Sequence, residues 1–183
     1  MLPTIVGPIE KLIELAKQTS NLEGDYWECG VFEGGSASRL LEVIPKDRKL
    51  VLFDSFEGLP QETENDNFHK KGDFKHPDGG IENFERVKNY FSSYQNVTIV
   101  KGWIPETFKD FTESKLCFVH LDLYIYEGYK YTLDFVWPRL VSGGIIALDD
   151  YAAPTCAGAK KATDEFVELH GLTVIDHYYI IKE

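Results

Sequence analysis

Tyr26-Trp27-Glu28-Cys29-Gly30-Val31-Phe32-Glu33-Gly34-Gly35-Ser36-Ala37 runs from an apolar stretch through a glycine turn into a segment of helical character. Further along, Leu50-Val51-Leu52-Phe53-Asp54 closes a second apolar run on a carboxylate. In a doubly wound α/β domain this pairing holds a nucleoside. The glycines let the backbone come close to the ligand, and the acid after the next strand accepts ribose hydroxyls. The spacing is Glu-x-Gly-x-x-x-Gly-Gly, not the Gly-x-Gly-x-x-Gly of a dinucleotide binder. It favours S-adenosylmethionine (SAM) over NAD, and so a methyltransferase over a nicotinamide-dependent oxidoreductase.

Outward from this motif, apolar periodicity sets out alternating strands and helices. Ile9, Leu12, Ile13 and Ala16 share a helical face over Pro8–Gln18, within an N-terminal segment 1–20, and Pro8 suits a first turn. Strands are expected at Asp25–Cys29, Leu50–Phe53, Val97–Val100, Leu116–Leu121 and Ile145–Leu148, the last entered through a Gly143-Gly144 turn. Helices are expected over Ser36–Val43, Ile81–Phe91, Gly128–Leu140 and Ala157–Leu169. Leu172–Ile175 and Tyr178–Lys182 read as one or two closing strands with an antiparallel edge. The alternation predicts a doubly wound, mostly parallel α/β sheet of seven strands or slightly fewer, with right-handed crossovers and helices on both faces. Residues 61–80 are polar and too long for an idle connector; such a segment is a lid or is disordered.

The chain has 183 residues, within the range of one domain spanning 1–183. Its formal charge of −11 repels nucleic-acid phosphates and anionic lipid, and no basic stripe counters it. No apolar run reaches the ~20 residues that span a bilayer, and the N-terminus lacks the basic region of a signal peptide. The three cysteines, Cys29, Cys117 and Cys156, are scattered, which fits a reducing, cytoplasmic setting and neither a disulfide framework nor a zinc site.

Open α/β sheets bind ligands beyond the carboxyl ends of their strands. Asp122 follows the Leu116–Leu121 strand, and Asp149 and Asp150 follow Ile145–Leu148. Neighbouring strands would bring these carboxylates together, where they repel unless one is protonated or a divalent cation such as Mg²⁺ intervenes. Such an ion could lower the pKa of a substrate hydroxyl for attack on a methyl sulfonium. The plainer alternative is that one acid caps a helix and another is solvated.

The chain resembles the macrocin O-methyltransferase family, SAM- and Mg²⁺-dependent enzymes that methylate sugar hydroxyls on macrolide and aminocoumarin natural products. The resemblance extends from about Glu23 nearly to the end. It is carried by Glu28–Ser36, Phe53–Pro60, Phe68–Phe74, Lys101–Thr107, His120–Glu127, Trp137–Ile145, Asp149–Tyr151 and Gly158–Phe166. By that resemblance Glu28, Gly30, Gly34, Gly35 and Ser36 line the methionine end of SAM. Asp54 takes the ribose, Ser55 beside it belongs to the cofactor-binding set, and Gly102 and Trp103 approach the adenine, with a core or rim aromatic as the plainer reading of Trp103. Asp122, Asp149 and Asp150 fall on metal-ligand positions, 61–80 is the lid, and the partner is a small hydroxyl acceptor such as a glycoside. Exposed closing strands could also pair two chains as a homo-oligomer.

One departure concerns catalysis. The family pattern His-Ile-Asp-x-Asp-Leu-Tyr-Glu carries its general base at the second Asp, and this chain has Tyr124 there. A phenol with a pKa of ~10 is a poor base at neutral pH. In one account a metal-bound alkoxide needs only a weak base or water. Alternatively His120, Asp149, His69 or His76 substitutes, or the domain binds SAM with little turnover as a regulatory module. The catalytic group is therefore sought among Asp122, Tyr124 and Asp149. The chain is also short for the family, with an N-terminal extension that helps build the acceptor site largely missing.

Overall fold

The computed structural model describes residues 8–77 and 79–183. The first seven residues of the expected 1–20 segment, and residue 78 within 61–80, lie outside the described residues. In chain order the elements are α1 (Ile9–Gln18), β1 (Asp25–Cys29), α2 (Gly35–Leu41), β2 (Leu50–Asp54), α3 (Ile81–Phe91), β3 (Val97–Lys101), β4 (Leu116–Leu121), α4 (Tyr126–Val136), β5 (Leu140–Leu148), α5 (Ala157–His170) and β6 (Tyr179–Ile181). The six strands lie in the order β3-β2-β1-β4-β5-β6, with every pairing parallel except β5–β6. The strand order reverses between β1 and β4, which opens a crevice at their carboxyl ends.

The period-2 alternation of each strand sends side chains to two separate cores. On one face Tyr26, Leu50, Leu52, Phe118, Ile145 and Ala147 meet Leu12, Leu15 and Ala16 of α1, Ala37 and Leu40 of α2, and Val87 and Phe91 of α3. On the other, Trp27, Cys29, Val51, Phe53, Val119, Leu121, Ile146 and Leu148 meet Tyr129, Leu133 and Val136 of α4 and Ala159, Ala162 and Phe166 of α5. Helices thus cover both faces, which is why the central strands read as continuous apolar runs. Among the described residues, no helix is long and apolar enough to cross a membrane.

Most boundaries fall within a residue or two of the sequence expectation, and the larger departures have local reasons. β5 begins at Leu140, so Gly143 and Gly144 lie inside the strand. There, with Gly143 at φ +79°, they bend it where the register to β4 slips between Leu116 and Phe118. α4 spans Tyr126–Val136, not 128–140: the Tyr126 N–H donates to Asp66 Oδ1 at 2.9 Å, a cap from far along the chain, and Pro138 turns the end into a short 3₁₀ segment. α2 ends at Leu41, short of Val43. Leu172–Ile175 forms no strand. Asp176 and His177 have φ of +53° and +55°, and this tight reversal leaves a single bridge from Ile175 to Tyr179.

Trp27 sits at the centre of the second core, its ring 4.7 Å from Phe53, 5.6 Å from Phe108 and 5.5 Å from Phe111. Trp27→Ala is expected to cost about 3–5 kcal/mol of stability. Urea unfolding followed by circular dichroism measures this, and a loss below about 1 kcal/mol would show that the aromatic cluster is not a keystone.

Candidate functional site

The crevice at the strand ends is a cavity of ≈ 330 Å³, within the range of small-molecule sites. Its floor depends on Gly30, at φ +93°, where a Cβ would meet the Asp122 carbonyl oxygen at 1.8 Å. Only glycine allows the ends of β1 and β4 to approach this closely. Beyond Gly30, the turn is gripped by Asp54 at the end of β2. Asp54 Oδ2 accepts the N–H groups of Val31 (2.7 Å) and Phe32 (2.8 Å), and Oδ1 accepts that of Phe56 (2.6 Å). The carboxylate expected to take a ribose is therefore largely spent on backbone amides, leaving lone-pair capacity on Oδ1.

The remaining strand-end acids have distinct surroundings. Glu28 is fully buried, its Oε1 2.9 Å from His120 Nδ1, and its Oε2 has no partner. His120 Nε2 lies 3.7 Å from Asp149 Oδ1. Burial by itself would lower the His120 pKa, but Asp149 and Glu28 on either side raise it to about 10, so the imidazole is a cation. Asp149 also accepts the Tyr178 hydroxyl at 3.4 Å. Asp150 is buried: its Oδ2 accepts the Leu123 (3.0 Å) and Tyr124 (2.9 Å) N–H groups, and its Oδ1 meets the Cys156 thiol at 3.5 Å. Burial lifts Asp150 to about 6. Burial, with Asp150 and Asp149 nearby, lifts Asp122 well above the usual carboxylate range, and Asp122 Oδ1 is buried without a partner.

These carboxylates neighbour one another, yet among the described residues no three His, Cys, Asp or Glu side chains form a group that could hold a metal. The expected three-aspartate site is not assembled as it stands, because Asp150 commits an oxygen to the loop after β4. The donor chemistry still suits a hard cation: oxygen atoms only, one of them orphaned on Asp122.

Four aromatic residues lining the cavity have left-handed backbones: Phe32 (φ +48°), Phe56 (+57°), Phe74 (+62°) and Tyr124 (+65°). Segment 61–80 lies against this wall. Phe74 packs on Tyr124 in a tilted pair with centroids 4.3 Å apart, and His69 meets the same ring at 4.8 Å. Burial, then Asp122, Asp150 and Asp149, push the Tyr124 phenol far above its ordinary value. His76 reaches Glu33 at 3.3 Å.

Of the residues singled out in the sequence, Gly30, Gly35, Ser36, Asp54, Ser55, Gly102, Trp103, Asp122 and Tyr124 line the cavity together. Glu28, Gly34, Asp149 and Asp150 are not on its wall. Glu28 faces the core beneath the sheet end, and Gly34 caps α2 at φ +79°. The wall also includes Phe74 from the expected lid, and Glu33, Asn83 and Tyr131, to which sequence reasoning assigned no role. Glu33 was within reach, as an acid inside the glycine motif. Asn83 is placed by a hydrogen bond of its amide to the Phe32 carbonyl at 2.8 Å, which leaves no trace in spacing.

The sequence model of the macrocin-O-methyltransferase (TylF) family matches residues 8–177. The 8-demethyl-8-(2,3-dimethoxy-alpha-L-rhamnosyl)-tetracenomycin-C 4'-O-methyltransferase of Streptomyces olivaceus is 30% identical over 146 residues, covering 74% of this chain and 56% of that protein. The mycinamicin III 3''-O-methyltransferase of Micromonospora griseorubida is 28% identical over 165 residues, covering 82% of this chain and 63% of that protein. The chain thus spans 56% and 63% of the length of these two curated relatives. In three dimensions, the crystal structure of the calicheamicin methyltransferase CalS11 matches with a TM-score of 0.78 at 22% identity, over 94% of this chain and 77% of that one. That likeness shows a shared α/β fold.

The raised acids carry a pH signature. Asp150 titrates at about 6 folded against an ordinary 3.8, so the native state holds a proton that the unfolded chain releases. Stability is therefore present at low pH and lost as pH rises towards and through 6. In EDTA, Asp122→Asn removes one of the crowded charges and should raise Tm at pH 7.5 by on the order of 5 °C. The gain should shrink at pH 5. Thermal unfolding at both pH values checks this, and an equal shift at each would refute the charge crowding.

Proposed function

Because the chain belongs to the macrocin O-methyltransferase family, we propose that it transfers a methyl group from SAM to a hydroxyl of a small molecule, a sugar or other polyol. One observation carries the reading: the glycine turn, the end of β2, Gly102-Trp103 and the loop after β4 border a single cavity. In this reading Gly30, Gly35 and Ser36 hold the methionine arm, and Asp54 Oδ1 with Ser55 holds the ribose. Trp103 covers the adenine. The methyl then points towards Asp122 and Tyr124, where the acceptor enters, and segment 61–80 is the lid that excludes water.

The transfer is a displacement at carbon and needs alignment and the loss of one proton. Asp122 is the carboxylate on the wall at that place, and its raised pKa gives it the basicity to accept a hydrogen bond from the attacking hydroxyl. Tyr124 is an apolar wall for the acceptor, because a phenol shifted so far upward does not ionise. Its strained backbone aims the ring at the acceptor. A divalent cation belongs to the proposal on donor chemistry. Asp122 and Asp149, with Asp150 Oδ1, would hold it, and when bound it would lower the pKa of the acceptor hydroxyl.

Calorimetric titration with SAM and S-adenosylhomocysteine (SAH), followed by SAM turnover on a panel of glycosides, tests the function. Binding of both is expected, and no heat at millimolar concentration would end the reading. Tyr124→Phe should keep kcat within about 3-fold, whereas loss of the true base costs on the order of 10²–10⁴. A 100-fold drop would therefore assign the proton to the phenol. Mg²⁺ should raise Tm of the wild-type chain at pH 7.5 and leave Asp122→Asn unmoved. Equal responses would remove the cation from the site.

A further inference from the structure

The glycine motif holds two acids, and the structure separates their roles. Glu28 is shut inside the sheet and held by His120. Glu33 lies on the cavity wall beside Gly35 and Ser36. Its Oε1 takes Arg86 Nη2 at 2.9 Å and His76 Nε2 at 3.3 Å, while its Oε2 accepts no hydrogen bond among the described residues. Burial would raise its pKa, but Arg86 and His76 hold it below the usual carboxylate range, so the group is ionised.

The other wall acids at this end are less able to meet a cation. Asp54 is occupied by three backbone N–H groups, and Asp122 lies across the cavity at the end of β4. No Lys, Arg or His is among the described residues that line the cavity. The wall is thus an anionic surface with one ionised, half-free carboxylate at the glycine turn.

We infer that Glu33 binds the α-ammonium of the methyl donor through Oε2, with Arg86 and His76 fixing the carboxylate from behind. The inference rests on the SAM reading above and adds the residue that recognises the amino-acid arm. Arg86 comes from α3 and His76 from segment 61–80, so the carboxylate that meets the ammonium is also the anchor of the lid's far end. Donor affinity and the position of that segment then share one group.

The test is calorimetry with SAH and with SAH lacking its α-amine, on the wild-type chain and Glu33→Gln. A charge-assisted contact of this kind predicts that Glu33→Gln weakens SAH binding by about 10–100-fold. Removing the amine from the ligand should cost the wild type a similar factor and cost Glu33→Gln almost nothing, the mark of a direct pair in a double-mutant cycle. Should Glu33→Gln fail to fold, the two ligands on the wild type still decide: equal affinities overturn the inference. Equal weakening of both ligands by the substitution also overturns it, since Glu33 then only shapes the turn. SAH binding unaffected by the substitution sinks the inference alone, whereas a wild-type chain that binds neither ligand sinks the SAM reading with it.

Discussion

The site depends on backbone amides gripped by strand-end carboxylates. Asp54 at the end of β2 collects the N–H groups of Val31, Phe32 and Phe56. Asp150, just after β5, collects those of Leu123 and Tyr124. Each grip ties the loop of one strand to the end of another, β1 to β2 and β4 to β5. The loops around the cavity are therefore set by the protein itself. Hydrogen bonds from amides to a carboxylate are among the stronger ones available, because one partner is charged and the site is sheltered from water.

The same grips account for the strain. Phe32, Phe56 and Tyr124 all have positive φ, a conformation that costs a non-glycine residue on the order of 1–3 kcal/mol. Each of the three gives its N–H to Asp54 or Asp150. Relaxing any of them would break a charge-assisted bond in a buried setting, so the aromatic rings stay turned onto the cavity wall. The strain and the two aspartates form one device, which presents flat apolar surface on a ledge that is otherwise acidic. It also explains why Asp150 is poorly placed to join Asp122 and Asp149 in a ready cation site: one of its oxygens already holds the loop that aims Tyr124.

The parallel sheet, its order of elements and the crevice at the carboxyl ends were legible because they follow from periodicity. Leu116–Leu121 reads as a central strand, and its residues are buried on both faces. The glycine turn was legible for a steric reason, since Gly30 admits no Cβ. What spacing did not reveal was how each acid's oxygens are shared. Glu28, Asp54 and Asp150 look alike as acids at strand ends. Only three-dimensional packing turns Glu28 to His120 and spends Asp54 and Asp150 on amides. Gly143-Gly144 misled for a similar reason: a glycine pair signals a turn, and here the neighbouring strand absorbs it as a bend.

The segment over the cavity shows how such long-range sharing propagates. Asp66 Oδ1 caps α4 through the Tyr126 N–H, and Gly158 of α5 lies so close that a Cβ there would meet the same oxygen at 1.8 Å. Asn67 bonds the Pro154 carbonyl at 3.1 Å. One end of the segment is thus seated on the start of two helices whose packing forms the second core. The other end meets Glu33, inside the glycine turn that Asp54 holds. A residue in the middle, such as Phe74 against Tyr124, is positioned by both anchors at once. Displacing the segment would uncap α4 at one end and release the Glu33 carboxylate at the other. Its position is thereby coupled to the fold on one side and to the cavity's charge on the other.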